Sequence, residues 1–291
     1  MARLLLGAPV AAALNEAGKA RTAALRKRGV MPTLCIVRCG EKSSDMAYEK
    51  GACKRAAEVG VAVVKREVPE TVAAEELTAV LKELNADDSV HGVLLLRPLP
   101  PHLKHKESEI CNVLDAAKDV DGCTDLSAAG VFLGKKTGFP PCTAQACMEI
   151  LDHYRFDCRG KRAVVIGRSP VVGRPAGALL LSRDATVTVC HTKTRDIAAV
   201  AREADILLSA TGVKNSVTGE FVKPGAILLD VSVNWDKTRN EGRGGITGDV
   251  CWEEVETLVG AITPVPGGVG AVTTAVLMSH VLSAAENQTG K

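Results

Sequence analysis

The sequence predicts an α/β fold built as two domains, each a parallel sheet covered by helices. Short β-rich apolar runs, such as residues 61–68 and 162–167, alternate along the chain with helical patterns such as residues 72–87. Alternation of this kind is typical of parallel strands joined by helical crossovers. A stretch rich in turn residues at 123–145, without a clear period, indicates a break between the two domains.

The predicted domain boundary lies at the end of that stretch. Residues 1–143 are expected to form the first domain, and residues 144–272 the second. The apolar helical pattern of residues 273–291 is expected to pack back on the first domain. A cleft between two such domains is the usual location of a binding site, so we expect the chemistry there.

Composition and charge exclude several classes of partner. The 291 residues are 46% apolar and 24% charged, and 36 basic against 34 acidic residues leave a net charge of +2. Such a balance provides no field suited to nucleic acid or to an anionic membrane, so neither is expected as a partner. The ten cysteines form no CxxC pair, and several lie in apolar runs. This favours buried, reduced thiols over a disulfide or zinc framework, and no metal site is predicted.

The start of the chain favours a cytoplasmic location. One arginine precedes an apolar run, as in a signal peptide, but the run is broken at Gly7-Ala8-Pro9 and leads into a helical pattern. No apolar stretch approaches the ~20 residues needed to span a bilayer. We therefore expect neither export nor membrane insertion.

The segment RAVVIGRSPVVGRPAGALLL (162–181) predicts a dinucleotide-binding turn of the Rossmann type. It has the pattern of a strand, a tight turn and a helix, with Gly167, Ser169 and Gly173 spaced as a looser form of the G-x-G-x-x-G fingerprint. Gly167 permits the turn, and the small Ser169 lets backbone approach a pyrophosphate at the helix N-terminus. A purely structural strand–helix turn is the alternative, but the repeated β-α pattern around it favours a nucleotide site.

The residues after the next strand favour NADP over NAD as the cofactor. NAD enzymes usually place an acidic residue about 20 residues after the glycines, where it binds the ribose 2′-hydroxyl. Here the strand is followed by His191, Thr192 and Lys193, with no acid before Asp196. Together with Arg168 in the glycine turn, these residues suit a 2′-phosphate. The alternative is that Lys193 is simply solvated, which leaves NAD open.

Two later strands provide the expected nicotinamide half of the site. They end in SATG (209–212) and DVSVN (230–234), at the carboxyl edge where ligands of such sheets bind. We expect their backbones, including Gly212, to line that half.

Several motifs together resemble one family. In chain order they are RPLP (97–100), KDVDG (118–122), PPCTAQ (140–145), VVIGRSPVVGRP (164–175), GDV (248–250) and PVPGGVG (264–270). The sequence is similar in these motifs to methylenetetrahydrofolate dehydrogenase/cyclohydrolase, over about residues 3–287. The resemblance implies a first domain that holds tetrahydrofolate, a Rossmann-type second domain that holds NAD(P), and a homodimer.

The resemblance also implies an activity and its residues. The family transfers hydride from 5,10-methylenetetrahydrofolate to NAD(P), and then hydrolyses the methenyl cation to 10-formyltetrahydrofolate. By match, Tyr48 packs against the folate and Asp121 hydrogen-bonds its pterin, which makes these two the implied catalytic residues. The loop between folate and nicotinamide would be Pro266, Gly267 and Gly268. The implied dinucleotide contacts are Gly167, Arg168, Ser169, Thr192 and Val233.

Two positions depart from the pattern of the bifunctional members. Those members carry a lysine four residues after the tyrosine, and their strand motif reads V-Q-L-P-L-P. In this sequence the lysine position is Ala52 and the glutamine position is Leu96. Lysine, glutamine and the DVDG aspartate are the residues that the family uses for hydrolysis, so two of the three are missing. Ala144, Ala271 and Ser232 also depart from the family pattern, and we interpret them as tolerable drift.

The main hypothesis is therefore a dehydrogenase with weak or absent cyclohydrolase activity. Hydride loss requires positioning, whereas ring opening by water requires a positioned acid and base. Lys50 and Lys54 would point about 160° and 120° away from Tyr48 on a helix, so neither shares its face. A shifted loop that brings in Lys42 would be another source of a lysine. A bifunctional enzyme, and a folate- or nucleotide-binding protein without catalysis, are the alternatives.

Overall fold

The computed structural model describes residues 1–238 and 244–290. Within these residues the chain folds into two compact units. The six-stranded unit comprises Met1–Ala11 and Thr143–Thr273, and the three-stranded unit comprises Ala12–Cys142 and the residues from Thr274 onward. Both units combine a parallel sheet with helices, so the predicted two-domain α/β fold is confirmed.

The elements of the described residues follow in chain order. The strands are β1 (Arg3–Leu4), β2 (Thr33–Cys39), β3 (Ala62–Val68), β4 (Gly92–Leu95), β5 (Arg162–Ile166), β6 (Thr186–Cys190), β7 (Ile206–Ser209), β8 (Ile227–Asp230), β9 (Asn234–Asp236), β10 (Gly245–Thr247) and β11 (Ala261–Ile262). The α-helices are α1 (Gly7–Lys27), α2 (Ser43–Val59), α3 (Ala74–Ala86), α4 (Glu107–Cys111), α5 (Asp125–Leu133), α6 (Cys142–His153), α7 (Gly173–Leu181), α8 (Ile197–Ala201), α9 (Trp252–Val255) and α10 (Thr273–Gln288). Within residues 1–238 and 244–290, none of these helices has the length and apolar character required to cross a bilayer.

The three-stranded unit is built around β2. Its parallel sheet has the order β3-β2-β4, and every residue of the central strand β2 is buried. Leu77, Leu81 and Leu84, spaced by one helical turn along α3, are buried in the same core cluster as Val37 of β2. α2 ends where Gly60 adopts a left-handed conformation (φ 87°), which a glycine adopts without steric cost.

The six-stranded unit has a parallel sheet of order β1-β11-β8-β7-β5-β6. After β5 the chain places β6 on one side, and β7, β8 and β11 on the other. The strand order therefore reverses beside β5, and ligands of open α/β sheets bind outside the carboxyl ends of the strands at such a point. A separate antiparallel pair, β9 and β10, lies outside this sheet.

The N-terminal residues differ from the predicted division of the chain. The sequence placed residues 1–143 in one domain, but Met1–Ala11 belong to the six-stranded unit. The reason is β1, in which Arg3 pairs with Ala261 and Leu4 with Ile262 at the edge of the large sheet. A strand of two residues has too short a pattern to be recognised from sequence.

The stretch at 123–145 is more regular than predicted. It contains α5, which begins after Thr124, whose side chain accepts a hydrogen bond from the N–H of Ser127, and ends at the left-handed Gly134. Its ends are therefore defined by capping residues rather than by an apolar period.

Candidate functional site

Asp121 lies in a turn that its neighbours hold in place. Asp119 is fully buried and accepts hydrogen bonds from two backbone N–H groups and from the hydroxyl of Ser127, at 2.6–2.9 Å. Gly122 has φ 68°, and a Cβ there would lie 2.6 Å from the carbonyl oxygen of Phe139, so this turn requires glycine. Asp119 thus stabilises the turn, whereas 24% of the Asp121 side chain is exposed and can meet a ligand.

Asp121 is paired with a buried arginine that the sequence analysis did not identify as a site residue. Arg97 Nη2 lies 3.5 Å from Asp121 Oδ2, and the arginine side chain is only 17% exposed. Burial raises the pKa of Asp121 to about 6, while the charge of Arg97 acts in the opposite direction. The carboxyl group therefore titrates close to neutrality, in spite of its cationic neighbour. In the sequence Arg97 directly follows Leu96 and begins the RPLP motif, which is the feature that could have indicated Arg97 as a site residue.

His280 and Cys142 hold the residue before Asp121. The carbonyl oxygen of Val120 accepts hydrogen bonds from His280 Nδ1 at 2.9 Å and from the thiol of Cys142 at 3.4 Å. Burial lowers the pKa of His280 to about 4, so its ring is neutral at physiological pH, with the Nδ1 proton assigned from this carbonyl partner. In the sequence His280 is a lone histidine within the apolar helical pattern MSHVL, and this feature could have indicated it as a site residue.

Tyr48 and Ala52 lie one turn apart on α2. Tyr48 is half-buried, whereas Ala52 is fully buried and offers only a methyl group. Leu96, which follows β4, is 6% exposed. In the three-stranded unit the lysine and glutamine positions of the bifunctional pattern are therefore both buried and apolar.

The lysines near Tyr48 are at the surface. Lys50 and Lys54 are exposed on α2, and Lys42, at the N-cap of the same helix, is exposed as well. The exposure of Lys50 and Lys54 agrees with the expectation that neither shares the face of Tyr48.

A buried ion pair connects α2 to the small sheet directly beside Tyr48. Glu49 accepts hydrogen bonds from Arg38 Nε at 2.9 Å and from Lys65 Nζ at 2.6 Å, and the side chains of Glu49 and Arg38 are 8% and 6% exposed. Burial acts to raise the pKa of Glu49, but these two cationic partners outweigh it and lower that pKa. The pair fixes α2 on β2 and β3, and with it the helical turn that carries Tyr48.

The glycine turn in the six-stranded unit is a close-packed backbone cradle. Gly167 has φ 121°, and a Cβ there would lie 2.4 Å from the carbonyl oxygen of Ala210. A Cβ at Gly173 would lie 2.1 Å from the carbonyl oxygen of Gly167. Ser169 Oγ accepts a hydrogen bond from the N–H of Val172 at 3.1 Å, just before α7 begins. These two glycines let the backbone of the turn pack closely before the N-terminus of α7, the place where Rossmann-type folds bind a dinucleotide pyrophosphate.

The predicted residues for the adenosine end follow β6. Thr192 and Lys193 are exposed, and the N–H of Lys193 donates to His191 Nδ1 at 3.1 Å. Arg168, which follows Gly167 at the end of β5, is also exposed. Because β5 and β6 are parallel neighbours, these cationic side chains come from the same edge of the sheet.

The loops after β7 and β8 are joined by Ser232. Its hydroxyl accepts a hydrogen bond from the N–H of Gly212 at 3.1 Å. Val233, the next residue, is 64% exposed. The side chain of Ser232, one of the positions that depart from the family pattern, therefore links these two loops.

The loop after β11 carries Pro266, Gly267 and Gly268. The peptide bond before Pro266 is cis, and Gly267 has φ 103°. A Cβ at Gly268 would lie 2.5 Å from the carbonyl oxygen of Pro264, so the loop excludes a side chain there. The carbonyl oxygen of Gly267 accepts a hydrogen bond from the N–H of Gly7 at 2.8 Å.

The structure thus distributes the predicted site residues over the two units. The three-stranded unit contains Tyr48, Ala52, Leu96 and Asp121, and the six-stranded unit contains the loops at the carboxyl ends of β5, β6, β7, β8 and β11. Among the described residues no group of three or more His, Cys, Asp or Glu side chains could hold a metal ion.

Two family models match the chain. Residues 5–121 match the tetrahydrofolate dehydrogenase/cyclohydrolase catalytic domain, and residues 141–289 match the NAD(P)-binding domain of the same family. A protein of Carboxydothermus hydrogenoformans named bifunctional protein FolD is 46% identical over 98% of each chain. Another of that name, from Alkaliphilus oremlandii, is 43% identical over 99% of each chain.

Solved structures of the same kind are similar throughout. The bifunctional enzyme FolD, methylenetetrahydrofolate dehydrogenase/cyclohydrolase, from Campylobacter jejuni has a TM-score of 0.93 at 37% identity and covers 99% of each chain. The methylenetetrahydrofolate dehydrogenase-cyclohydrolase of Trypanosoma brucei, complexed with NADP cofactor and inhibitor, has a TM-score of 0.92 at 33% identity, over 100% of this chain and 99% of that one. With both domain models matched in order and relatives similar over their whole length, the chain belongs to the tetrahydrofolate dehydrogenase/cyclohydrolase family.

Proposed function

We propose that this chain is an NADP-linked methylenetetrahydrofolate dehydrogenase with little or no methenyltetrahydrofolate cyclohydrolase activity. The observation that carries the proposal is the pair Ala52 and Leu96. Both side chains are buried and apolar at the positions where bifunctional members hold lysine and glutamine. Hydrolysis needs groups that activate water and move protons, and these two side chains can do neither.

In this proposal the remaining residues bind and orient the substrates. Tyr48 provides an aromatic surface for the folate, and Asp121 accepts hydrogen bonds from the pterin. NADP supplies the hydride acceptor when it is bound. The glycine turn holds its pyrophosphate and the Pro266–Gly268 loop lines its nicotinamide end. Holding the one-carbon bridge in a productive orientation is the main requirement for hydride transfer.

Arg97 does not replace the missing lysine as a proton carrier. A guanidinium stays protonated in proteins, so it cannot donate and recover a proton during turnover. It does provide a positive charge beside Asp121, at 3.5 Å. The proposed site therefore keeps a balanced pair of charges and loses the acid–base function.

A bifunctional enzyme is the second candidate. The relatives that are 43% and 46% identical are named bifunctional. The pKa of Asp121, raised to about 6, also favours this candidate, because a carboxyl group that titrates near neutrality can act as a base by itself.

Two separate assays on the purified protein test the proposal. We expect NADP reduction with methylenetetrahydrofolate, and hydrolysis of methenyltetrahydrofolate that hardly exceeds the uncatalysed rate. Hydrolysis that keeps pace with hydride transfer would establish the bifunctional candidate. Folate binding without any NADP reduction or NAD reduction would instead establish a non-catalytic binding protein.

A sedimentation measurement of the same sample tests the expected homodimer.

The dehydrogenase should lose activity in mild acid. Because the pKa of Asp121 is raised to about 6, its carboxylate is protonated in the free enzyme as the pH falls below that value. We expect kcat/KM for the folate substrate to decrease about tenfold per pH unit below this inflection, since kcat/KM reports groups of the free enzyme. A pH profile at saturating NADP measures it. In Asp121→Asn the activity should be low and the inflection absent; the same inflection in that variant would assign it to another group.

Lys193 should support the preference for NADP. Replacing Lys193 by Ala removes the proposed partner of the 2′-phosphate, so we expect KM for NADP to rise about 10- to 100-fold, the range for a hydrogen bond to a charged group. KM for NAD should change less than threefold. Lys161→Ala is the matched control, because Lys161 is exposed at the opposite edge of the sheet, before β5. Equal effects on both dinucleotides would contradict the role given to Lys193.

A further inference from the structure

Arg97 is a buried guanidinium with few partners. Its side chain is 17% exposed, and its contact with Asp121 is long, at 3.5 Å between Nη2 and Oδ2. Its Nε is buried and has no hydrogen-bond partner among the described residues. A guanidinium has five N–H donors, so this arrangement leaves donor capacity unused inside the protein.

Unused donors on a buried charge indicate a missing acceptor. Buried polar groups in proteins are nearly always hydrogen-bonded, because leaving a donor of a charged group without an acceptor is unfavourable. A molecule bound next to Asp121 can provide an acceptor for the Nη groups, the side of the guanidinium that faces this carboxylate. The molecule must carry hydrogen-bond donors for the carboxylate, and directly beside them an acceptor for the guanidinium.

The pterin ring of a folate has this pattern along one edge. Its 2-amino group and N3–H are donors, and the adjacent 4-oxo group is an acceptor. The carboxylate of Asp121 suits the two donors, and Arg97 lies on one side of that carboxylate. Resting on the proposed function, we propose that Arg97 is a specificity-determining residue that donates a hydrogen bond to the 4-oxo group of the pterin.

The proposal makes this site selective between 4-oxo and 4-amino pterins. A 4-amino group is a donor, so it would face the N–H groups of Arg97 with no acceptor between them. Sites built to hydrogen-bond a substrate group reject analogues that leave their polar groups unpaired. In this proposal Arg97 discriminates between substituents at C4, while Asp121 recognises the N3–H and the 2-amino group.

The test compares tetrahydrofolate with its 4-amino-4-deoxy analogue by equilibrium binding, at a weakly alkaline pH where the diamino ring is uncharged. The unmodified protein should bind the 4-oxo compound more tightly by about 10- to 100-fold, the range for a hydrogen bond to a charged group. In Arg97→Leu the ratio of the two dissociation constants should fall about tenfold. The discrimination that remains comes from Asp121, because the uncharged diamino ring has no N3–H to donate to its carboxylate. Arg97→Lys, which keeps the charge but not the planar fork, should give an intermediate ratio.

The ratio separates recognition from a structural role. If Arg97 made no contact with the 4-oxo group and Asp121 stayed in place without it, Arg97→Leu would leave the ratio unchanged, which would overturn the proposal. Arg55→Leu is the matched control, because Arg55 is similarly buried (22% exposed) in an ion pair with Glu58 on α2; its ratio should equal that of the unmodified protein. Equal binding of the two compounds by the unmodified protein would overturn the proposal without any variant. Binding of neither would instead contradict the proposed folate function.

Discussion

Ala52→Lys combined with Leu96→Gln is expected to raise the rate of methenyltetrahydrofolate hydrolysis by about 10²–10⁴-fold, the usual contribution of a positioned acid or base. The two substitutions restore the groups that bifunctional members carry, beside an Asp121 that is already present. Hydride transfer should stay within about tenfold of its original rate, because it depends on orientation. Parallel assays of the two reactions on one preparation measure both effects.

Arg97 is expected to limit the increase in the hydrolysis rate of the double variant. In the double variant Arg97, 3.5 Å from Asp121, would compete with the new lysine for that carboxylate. Adding Arg97→Leu restores the V-Q-L-P-L-P pattern at that position and leaves one cation beside Asp121. The triple variant should therefore hydrolyse faster at saturating substrate than the double variant, although it binds the folate more weakly.

The control introduces a lysine at the neighbouring, exposed position of α2, where it cannot take part in hydrolysis. Gly51 is exposed on α2, and an added Cβ there would meet no atom of the described residues within 4 Å, so Gly51→Lys should leave hydrolysis unchanged. Ala52 is fully buried, so the thermal midpoint of each variant must show that the protein is folded. A folded double variant and a folded triple variant that both fail to hydrolyse faster would contradict the explanation based on Ala52 and Leu96.

The order of elements was predictable because long amphipathic helices and apolar strands have a strong period. The helix predicted at 72–87 is α3 (Ala74–Ala86), and the strand predicted at 162–167 is β5 (Arg162–Ile166). Elements defined by partners far along the chain were not predictable. β1 has two residues and is a strand only because β11 pairs with it. α5 depends on caps at Thr124 and Gly134.

The candidate site divides in the same way. Glycine positions such as Gly167 could be recognised in the sequence, because backbone geometry restricts them to one residue type. The ion pair of Arg97 with Asp121 was not, because it joins residues 24 positions apart whose contact depends on how the chain turns after β4. The support of the Asp121 turn by His280 is more distant still, since α10 supplies it from the end of the chain. Sequence motifs thus indicated candidate ligand-binding groups, and tertiary packing supplied the groups beside them.

Gly167→Ala should abolish most dinucleotide-dependent activity and leave folate binding intact. The added Cβ would lie 2.4 Å from the carbonyl oxygen of Ala210, so the turn after β5 and the loop after β7 must move apart. Both lie where the strand order reverses, which is where the dinucleotide is expected. A displacement of about 1 Å can reduce a rate by about 10²-fold, so we expect kcat/KM for NADP to fall at least that much. Folate binding should change less than twofold, because Asp121 and Tyr48 belong to the three-stranded unit.

Gly160→Ala separates the steric effect from backbone strain. Gly160 also has a positive φ (69°), but within the part of the chain that the structure describes an added Cβ would meet no atom within 4 Å. Gly160→Ala should lose about 1–2 kcal/mol of unfolding free energy from the left-handed backbone, and Gly167→Ala should lose more because of its clash with Ala210, as measured by urea denaturation. Only Gly167→Ala should lose NADP binding in equilibrium titrations. If the two variants lost NADP binding equally, the effect would come from the stability of the unit, and the glycine turn would have no direct role in holding the pyrophosphate.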